Sequence, residues 1–282
     1  MKRPELLLPV ANLLVSGCAH RQIARHVGCA PSTVTRLSVR LGLHAKRFLD
    51  LSTTRLAEID EPIVFDHFET FVRSQQERLG IATPVGQRSW YVYALRGAGH
   101  LRLKGRSQKK PALKSDPKPM LPGAMIDSTL RTLEHLLRRA PRGLDLISDD
   151  HPAYRAAVRR LAPRRLVRHT AFANPGRSPG HKGTLAHARN RALFAVDLLH
   201  KLLRHSQAHH RRETIAFGRR RASVLGRAAL FAVWRNMIKL VSERRPTRRT
   251  PAMRLGLTSR PWTWAEVFAR RLFVRRIAGI KA

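Results

Sequence analysis

Acidic side chains are scarce in this chain: 18 Asp and Glu stand against 55 Lys and Arg, a formal net charge of +37. The excess is spread along the whole length rather than held in one tail. That balance points to a polyanionic partner, most often nucleic acid. Cysteine is nearly absent. Two residues cannot build a disulfide framework, so a reducing, cytoplasmic setting is expected. Cys18, His20, His26 and Cys29 are zinc-ligand types, but they fall along two expected helices instead of in close pairs around a loop, which argues against zinc. No apolar run reaches membrane-spanning length. The segment Lys2-Arg3 followed by Leu6 to Val15 imitates a leader peptide, yet Glu5, Pro9 and Asn12 interrupt it and the pattern continues beyond Cys18. Aromatic residues are only 6% of the chain, and the aromatic signature of one common class of RNA binder is missing. What is present is a 43% hydrophobic content with long helix-period segments, enough for a substantial core and more than a packaging protein needs.

The first 45 residues read as three helices. Leu6, Leu7, Val10, Leu13 and Leu14 mark one over residues 5–16, which Gly17 breaks. Ile23, Ala24 and Val27 face inward in a second, over 19–27. Gly28 makes the turn, and a third helix follows Pro31 with Val34, Leu37 and Leu41 inward. A small residue where helices approach, a glycine turn and a polar, basic outer face form the pattern of a helix-turn-helix. Ser32, Thr33, Thr35 and Arg36 are then placed to reach base edges, and Arg25 and Arg40 to hold phosphates.

Residues 46–61 read as a linker of partly helical character. The texture then changes to strands: Ile63 to Phe71 carrying Asp66, Ser89 to Leu95, and a short one near 100–103. Strand alternation sets Asp66 and Glu69 on opposite faces. Residues 104–120 are a basic, proline-rich loop suited to phosphate contact. A helix over 124–139 precedes Leu144-Asp-Leu-Ile-Ser-Asp-Asp-His-Pro-Ala-Tyr154, a strand that ends in two acids and turns into a helix at Pro152. Either Asp149 or Asp150 stands where α/β sheets place their ligands. A helix over 153–161, a strand over 166–170, a Gly/Pro-rich stretch over 174–183 and helices over 185–209 and 219–240 follow. A basic tail over 243–282 carries one helix at 264–273.

After residue 150 only Asp197, Glu213, Glu243 and Glu266 remain as acids. Asp197 sits among apolar residues, where a charge needs a partner or a metal. Helical spacing sets His200 and Arg204 on its stripe, where they can orient the carboxylate or hold a phosphate. Glu213, flanked by arginines, is the alternative.

The order strand with acid, strand, short strand, helix, strand with acid, helix, strand, long helix matches an RNase H-like α/β mixed-sheet core (residues 62–242). A helix-turn-helix domain precedes it and a helical C-terminal extension follows. Phe65-Asp-His-Phe-Glu-Thr-Phe71, Ile147-Ser-Asp-Asp-His-Pro-Ala-Tyr154 and Asp197-x-x-His200-x-x-x-Arg204 followed by Arg211-Arg-Glu-Thr-Ile-Ala-Phe217 together resemble the DDE-type transposases of small bacterial insertion sequences. The resemblance spans roughly residues 20–240 and rests most on the Arg-x-Thr-Ile-x-Phe element. It implies strand cleavage and transfer with two Mg²⁺ ions, Mn²⁺ being able to substitute. It makes Asp66 the first acid, Asp149 the second, with Asp150 beside it, and Asp197 the third, where the family usually has Glu. It implies double-stranded DNA as partner, at element ends and target, a homo-oligomer on that DNA, and a cytoplasmic, nucleoid-associated location.

Overall fold

The computed structural model describes residues 3–98, 123–161, 166–174, 183–243 and 248–273. The expected strand near 100–103, the basic loop over 104–120 and most of the Gly/Pro-rich stretch lie outside them. Within them the chain is α/β, with a mixed five-stranded sheet and ten α-helices.

Three helices open the chain: α1 (Leu7–Val15), α2 (His20–His26) and α3 (Pro31–Thr54). Gly17 and Gly28 make the two turns with φ of 88° and 63°, a left-handed backbone that other residues adopt only with strain. Pro31 starts α3, its missing N–H costing nothing in a first turn. α3 does not stop near residue 45. It runs unbroken for 24 residues, to Thr54, into the stretch read as a linker. The reason is a second apolar stripe, Leu41, Ala45, Phe48 and Leu49, which the helix buries against α8 (Arg221–Met237). The two helices cross backbone to backbone. A Cβ at Gly42 would lie 2.7 Å from the Gly226 Cα.

The sheet has the order β3-β2-β1-β4-β5. β1 (Ile63–Val72) and β2 (Ser74–Gly86) form an antiparallel hairpin closed at Arg73, whose φ is 66°. β3 (Arg96–Gly97) pairs antiparallel with β2, while β4 (Leu144–Asp149) and β5 (Val167–Phe172) run parallel to β1 and to each other. α4 (Ala124–Leu137) and α5 (Pro152–Arg160) pack together, α4 against β2 and α5 against β5. α6 (Thr184–Ala192) leads to α7 (Phe194–Ser206), which packs on β1 and β2. α9 (Pro251–Arg254) and α10 (Trp264–Ala269) close the described chain, the latter shorter than the helix expected over 264–273. One continuous apolar core joins the N-terminal helices to the sheet, from Leu6 to Phe268. Among the described residues no helix is long and apolar enough to cross a membrane.

Two further elements differ from expectation. The second strand is Ser74–Gly86, not Ser89 to Leu95. Pro84 disguised it, since proline argues against a central strand. Its carbonyl accepts from Tyr93 N–H at 3.0 Å, so the missing N–H faces that side and not β1. Residues 89–95, buried except for Trp90, make a single antiparallel bridge to the end of β2 at Val85↔Val92 and otherwise pair with side chains. Asn236 on α8 holds both the N–H and the carbonyl of Val92 at 2.9 Å, and Thr53 on α3 donates to the Tyr93 carbonyl at 2.7 Å. The expected long helix over 185–209 is two. Leu193, buried, with φ −93° and ψ 4°, breaks it and redirects α7 along the sheet.

Candidate acidic site at the ends of the central strands

β1 and β4 pair in parallel from Ile63↔Leu146 to Phe65↔Ser148. The next residue on each strand is Asp66 and Asp149. The register therefore sets these two carboxylates side by side just past the end of the ladder, on strands about 5 Å apart. This is the crevice at the carboxyl ends of parallel strands where α/β sheets bind ligands. Strand phase also settles the Asp149-Asp150 pair. Asp149 accepts from Asn174 Nδ2 at 2.9 Å and from the His151 N–H at 3.2 Å. Asp150 instead pairs with Arg155 on the outer side of α5 and does not join the crevice.

Asp197 enters from the first turn of α7. The stripe expected on this helix is present. His200 Nδ1 lies 3.6 Å from Asp66 Oδ2, and one turn on, Arg204 donates to the Glu69 carbonyl at 3.1 Å and lies over the Phe68 ring. Glu213, the alternative third acid, is exposed on the stretch after α7. In the adjoining Arg-x-Thr-Ile-x-Phe element, Ile215 is fully exposed.

The Asp66 side chain keeps 24% of its surface open at the crevice mouth and is enclosed by protein elsewhere. Burial, then the negative charge of Asp149 and, more weakly, of Asp197, push its pKa up from 3.8 to about 7. Hydrogen bonds from Tyr154 Oη at 3.0 Å and the His67 N–H at 2.7 Å oppose that rise without cancelling it. Protons in the surrounding network can be assigned from donors and acceptors. Thr83 donates its hydroxyl to the Asp66 carbonyl at 2.8 Å, so it accepts from His200 Nε2–H. His200 is buried neutral, its pKa lowered to about 3, and turns an unprotonated Nδ1 toward Asp66. It therefore offers the carboxylate no countercharge. On the other side, Ser128 donates to the Met125 carbonyl and accepts from His67 Nε2–H at 2.7 Å, leaving His67 Nδ1 as an acceptor for Tyr154 at 3.1 Å. The single Tyr154 proton then has two claimants, Asp66 and His67. A protonated Asp66 resolves the conflict by donating to Tyr154, which donates to His67.

Among the described residues, Arg189 on α6 is the cation placed among the acids. It donates to Asp197 Oδ2 at 2.5 Å and to Asn174 Oδ1 at 3.2 Å, and Asn174 holds Asp149. Sequence reasoning missed Arg189, Asn174, Thr83 and Tyr154. Tyr154 stood inside a quoted motif, at a helix phase that points back to the sheet; Asn174 and Arg189 carried no local signal. Magnesium takes hard carboxylate oxygens, and the repulsion that raises Asp66 is what a divalent cation relieves. In this donor chemistry Asp66, Asp149 and Asp197 fit such an ion. Among the described residues, however, no three His, Cys, Asp or Glu side chains stand close enough to surround one as they are now arranged, with Asp197 held by Arg189.

The N-terminal residues expected to touch DNA lie on α2 and α3. Arg25, Ser32, Thr35 and Arg36 are exposed, and Thr33 and Arg40 are half-buried. Thr35 is also tied down, donating to the Pro31 carbonyl at 3.0 Å and bonded to His20 Nδ1 at 3.1 Å, which joins α2 to α3. No protein-family profile and no curated protein matches the chain.

Proposed function

We propose that the protein is a DNA transposase of the DDE kind, an RNase H-like core that cleaves and joins DNA strands with divalent metal. The observation that carries the reading is the placement of Asp66 and Asp149 side by side just past the β1/β4 ladder. The order of strands and helices and the position of each acid on first strand, fourth strand and late helix support it. Asp66, Asp149 and Asp197 would hold the metal, with Arg189 withdrawn from Asp197. Bound there, divalent ions supply activation of the attacking water or 3′-hydroxyl and stabilisation of the leaving oxygen. The protein's own part is positional. Tyr154 and the His67 N–H fix one oxygen of Asp66, Asn174 fixes Asp149, and His200 stays neutral beside them. The three N-terminal helices serve as a helix-turn-helix that grips double-stranded DNA through Ser32, Thr33, Thr35 and Arg36 at base edges and Arg25 and Arg40 at phosphates. Strand transfer between element ends and target calls for a homo-oligomer on the DNA, in a nucleoid setting.

The Arg189–Asp197 ion pair favours a second reading, a DNA-binding protein without cleavage, in which the guanidinium is a permanent countercharge. Incubating supercoiled plasmid with the protein in Mn²⁺ or Mg²⁺ separates the two. The proposal expects nicked circles that Asp66→Asn and Asp149→Asn abolish while DNA retardation persists. Unchanged nicking in both variants, or none in the wild type, rejects it.

A further inference from the structure

Phe194 is the first residue of α7, one turn and about 4.5 Å along the axis from Asp197. Nearly half of it, 48%, is exposed, an unusual position for an aromatic side chain. It is not isolated. Its ring lies 5.5 Å from Trp90, with the planes at 53°. Trp90 sits in the turn after β2 with a φ of 62°, a left-handed backbone that a bulky residue enters only at a cost. Its N–H donates to the Gly86 carbonyl at 3.0 Å, so the turn holds that conformation. The Arg254 guanidinium lies 5.1 Å from the Trp90 ring centroid and donates to the Arg88 carbonyl at 3.2 Å. Arg88, exposed and paired with Asp60, belongs to the same turn as Trp90, and the exposed Arg191 lies near the end of α6, three residues before Phe194.

An open aromatic face backed by a second ring and an arginine, amid basic side chains, is the composition of a nucleobase-stacking platform. An apolar protein partner would gain little from flanking arginines, whereas a polynucleotide backbone is drawn to them. We propose that Phe194, supported by Trp90 and Arg254, stacks an unpaired base of single-stranded DNA beside the acidic crevice. The site thus takes a nucleotide drawn out of the duplex, not only paired DNA. The inference deepens the proposed function but stands on its own geometry.

Fluorescence anisotropy with a labelled oligo(dT), a duplex of the same length and an oligo(rU), all on the full-length protein, tests it. Phe194→Ala should weaken oligo(dT) binding by roughly 5-fold or more, the lower end of what one stacked base contributes. Duplex binding should stay unchanged, and Phe194→Trp should restore oligo(dT) binding. Because stacking is not electrostatic, the salt dependence of Phe194→Ala should parallel the wild type. Phe194 is exposed, so the variant folds; a melting temperature equal to the wild type checks this. An equal loss on single strand and duplex, no loss at all, or binding of oligo(rU) as tight as oligo(dT) would overturn the proposal. A Phe194-dependent affinity in a protein that never nicks plasmid would retain the platform and reject the transposase.

Discussion

Removing the charge of Asp66 should stabilise the protein, and by more at higher pH. The carboxyl has a pKa of about 7 when folded and near 4 when unfolded, so the native state holds a proton that the unfolded chain has released. The sign follows. The favourable contribution of the protonated group is complete below pH 4, declines as pH rises between the two values, and is gone above 7. Three units at about 1.36 kcal/mol each give about 4 kcal/mol in all, and about 2–3 kcal/mol of it falls between pH 5 and 8. Asp66→Asn keeps an acceptor for the His67 N–H and removes the charge. Urea unfolding of wild type and variant at pH 5, 6, 7 and 8, in chelator, should show the variant gaining steadily. By pH 8 the difference in midpoints should have widened by about 1 M. Other groups titrate equally in both proteins and cancel in the difference. Two curves that run parallel across this range would refute the argument, because they would mean that burial and the neighbouring acids do not hold a proton on Asp66. Repeating the series in millimolar Mn²⁺ extends the test to function: the ion should close the gap by stabilising the wild type alone.

Two further changes probe other parts of the structure. Arg189→Gln leaves Asp197 half-buried without its cation, at an expected cost of about 1–3 kcal/mol in urea at pH 8. Mn²⁺ titrated calorimetrically should bind this variant more tightly than the wild type, and equal affinity would show that Arg189 does not compete for the acids. Gly42→Ala gains about 1 kcal/mol in helix propensity but sets a methyl against the Gly226 backbone, where relief requires two helices to part. A net loss of about 1–2 kcal/mol in the urea midpoint is expected, and a neutral or stabilised variant would contradict the close crossing.

Much of this was legible from the residues alone, for reasons of period. β1 is buried on both faces over its first half and β4 on alternate residues, so their apolar residues announced them, and the acids Asp66 within β1 and Asp149 at the end of β4 were conspicuous among them. The stripe Asp197, His200, Arg204 followed from helical spacing and is the stripe that faces β1. β2 was hidden because a proline and two glycines punctuate it, and the reason Pro84 is tolerated lies in Tyr93, nine residues later. Residues 89–95 looked like a strand because they are as buried as one. That Asn236 and Thr53 stand in for neighbouring strands is a tertiary fact with no local signature. Arg189 and Asn174 belong to the same class. They meet the acids only because β5 and α6 return the chain to them, and nothing in their own neighbourhoods marks them out.

The unbroken α3 has a consequence for how DNA would be measured. A helix of 24 residues is about 36 Å long, close to the length of ten base pairs at 3.4 Å each. Its first turns carry Ser32 and Arg36. Its last turn is fastened by Thr53 to the Tyr93 carbonyl, and its middle is locked on Gly226. There is no hinge along that length, so on the proposed reading the helix acts as a ruler. The offset between the bound sequence and the bond to be cut would be one fixed number of base pairs. Inserting or deleting even a single pair there would rotate the scissile phosphate away from the acids, an error that a flexible tether would absorb.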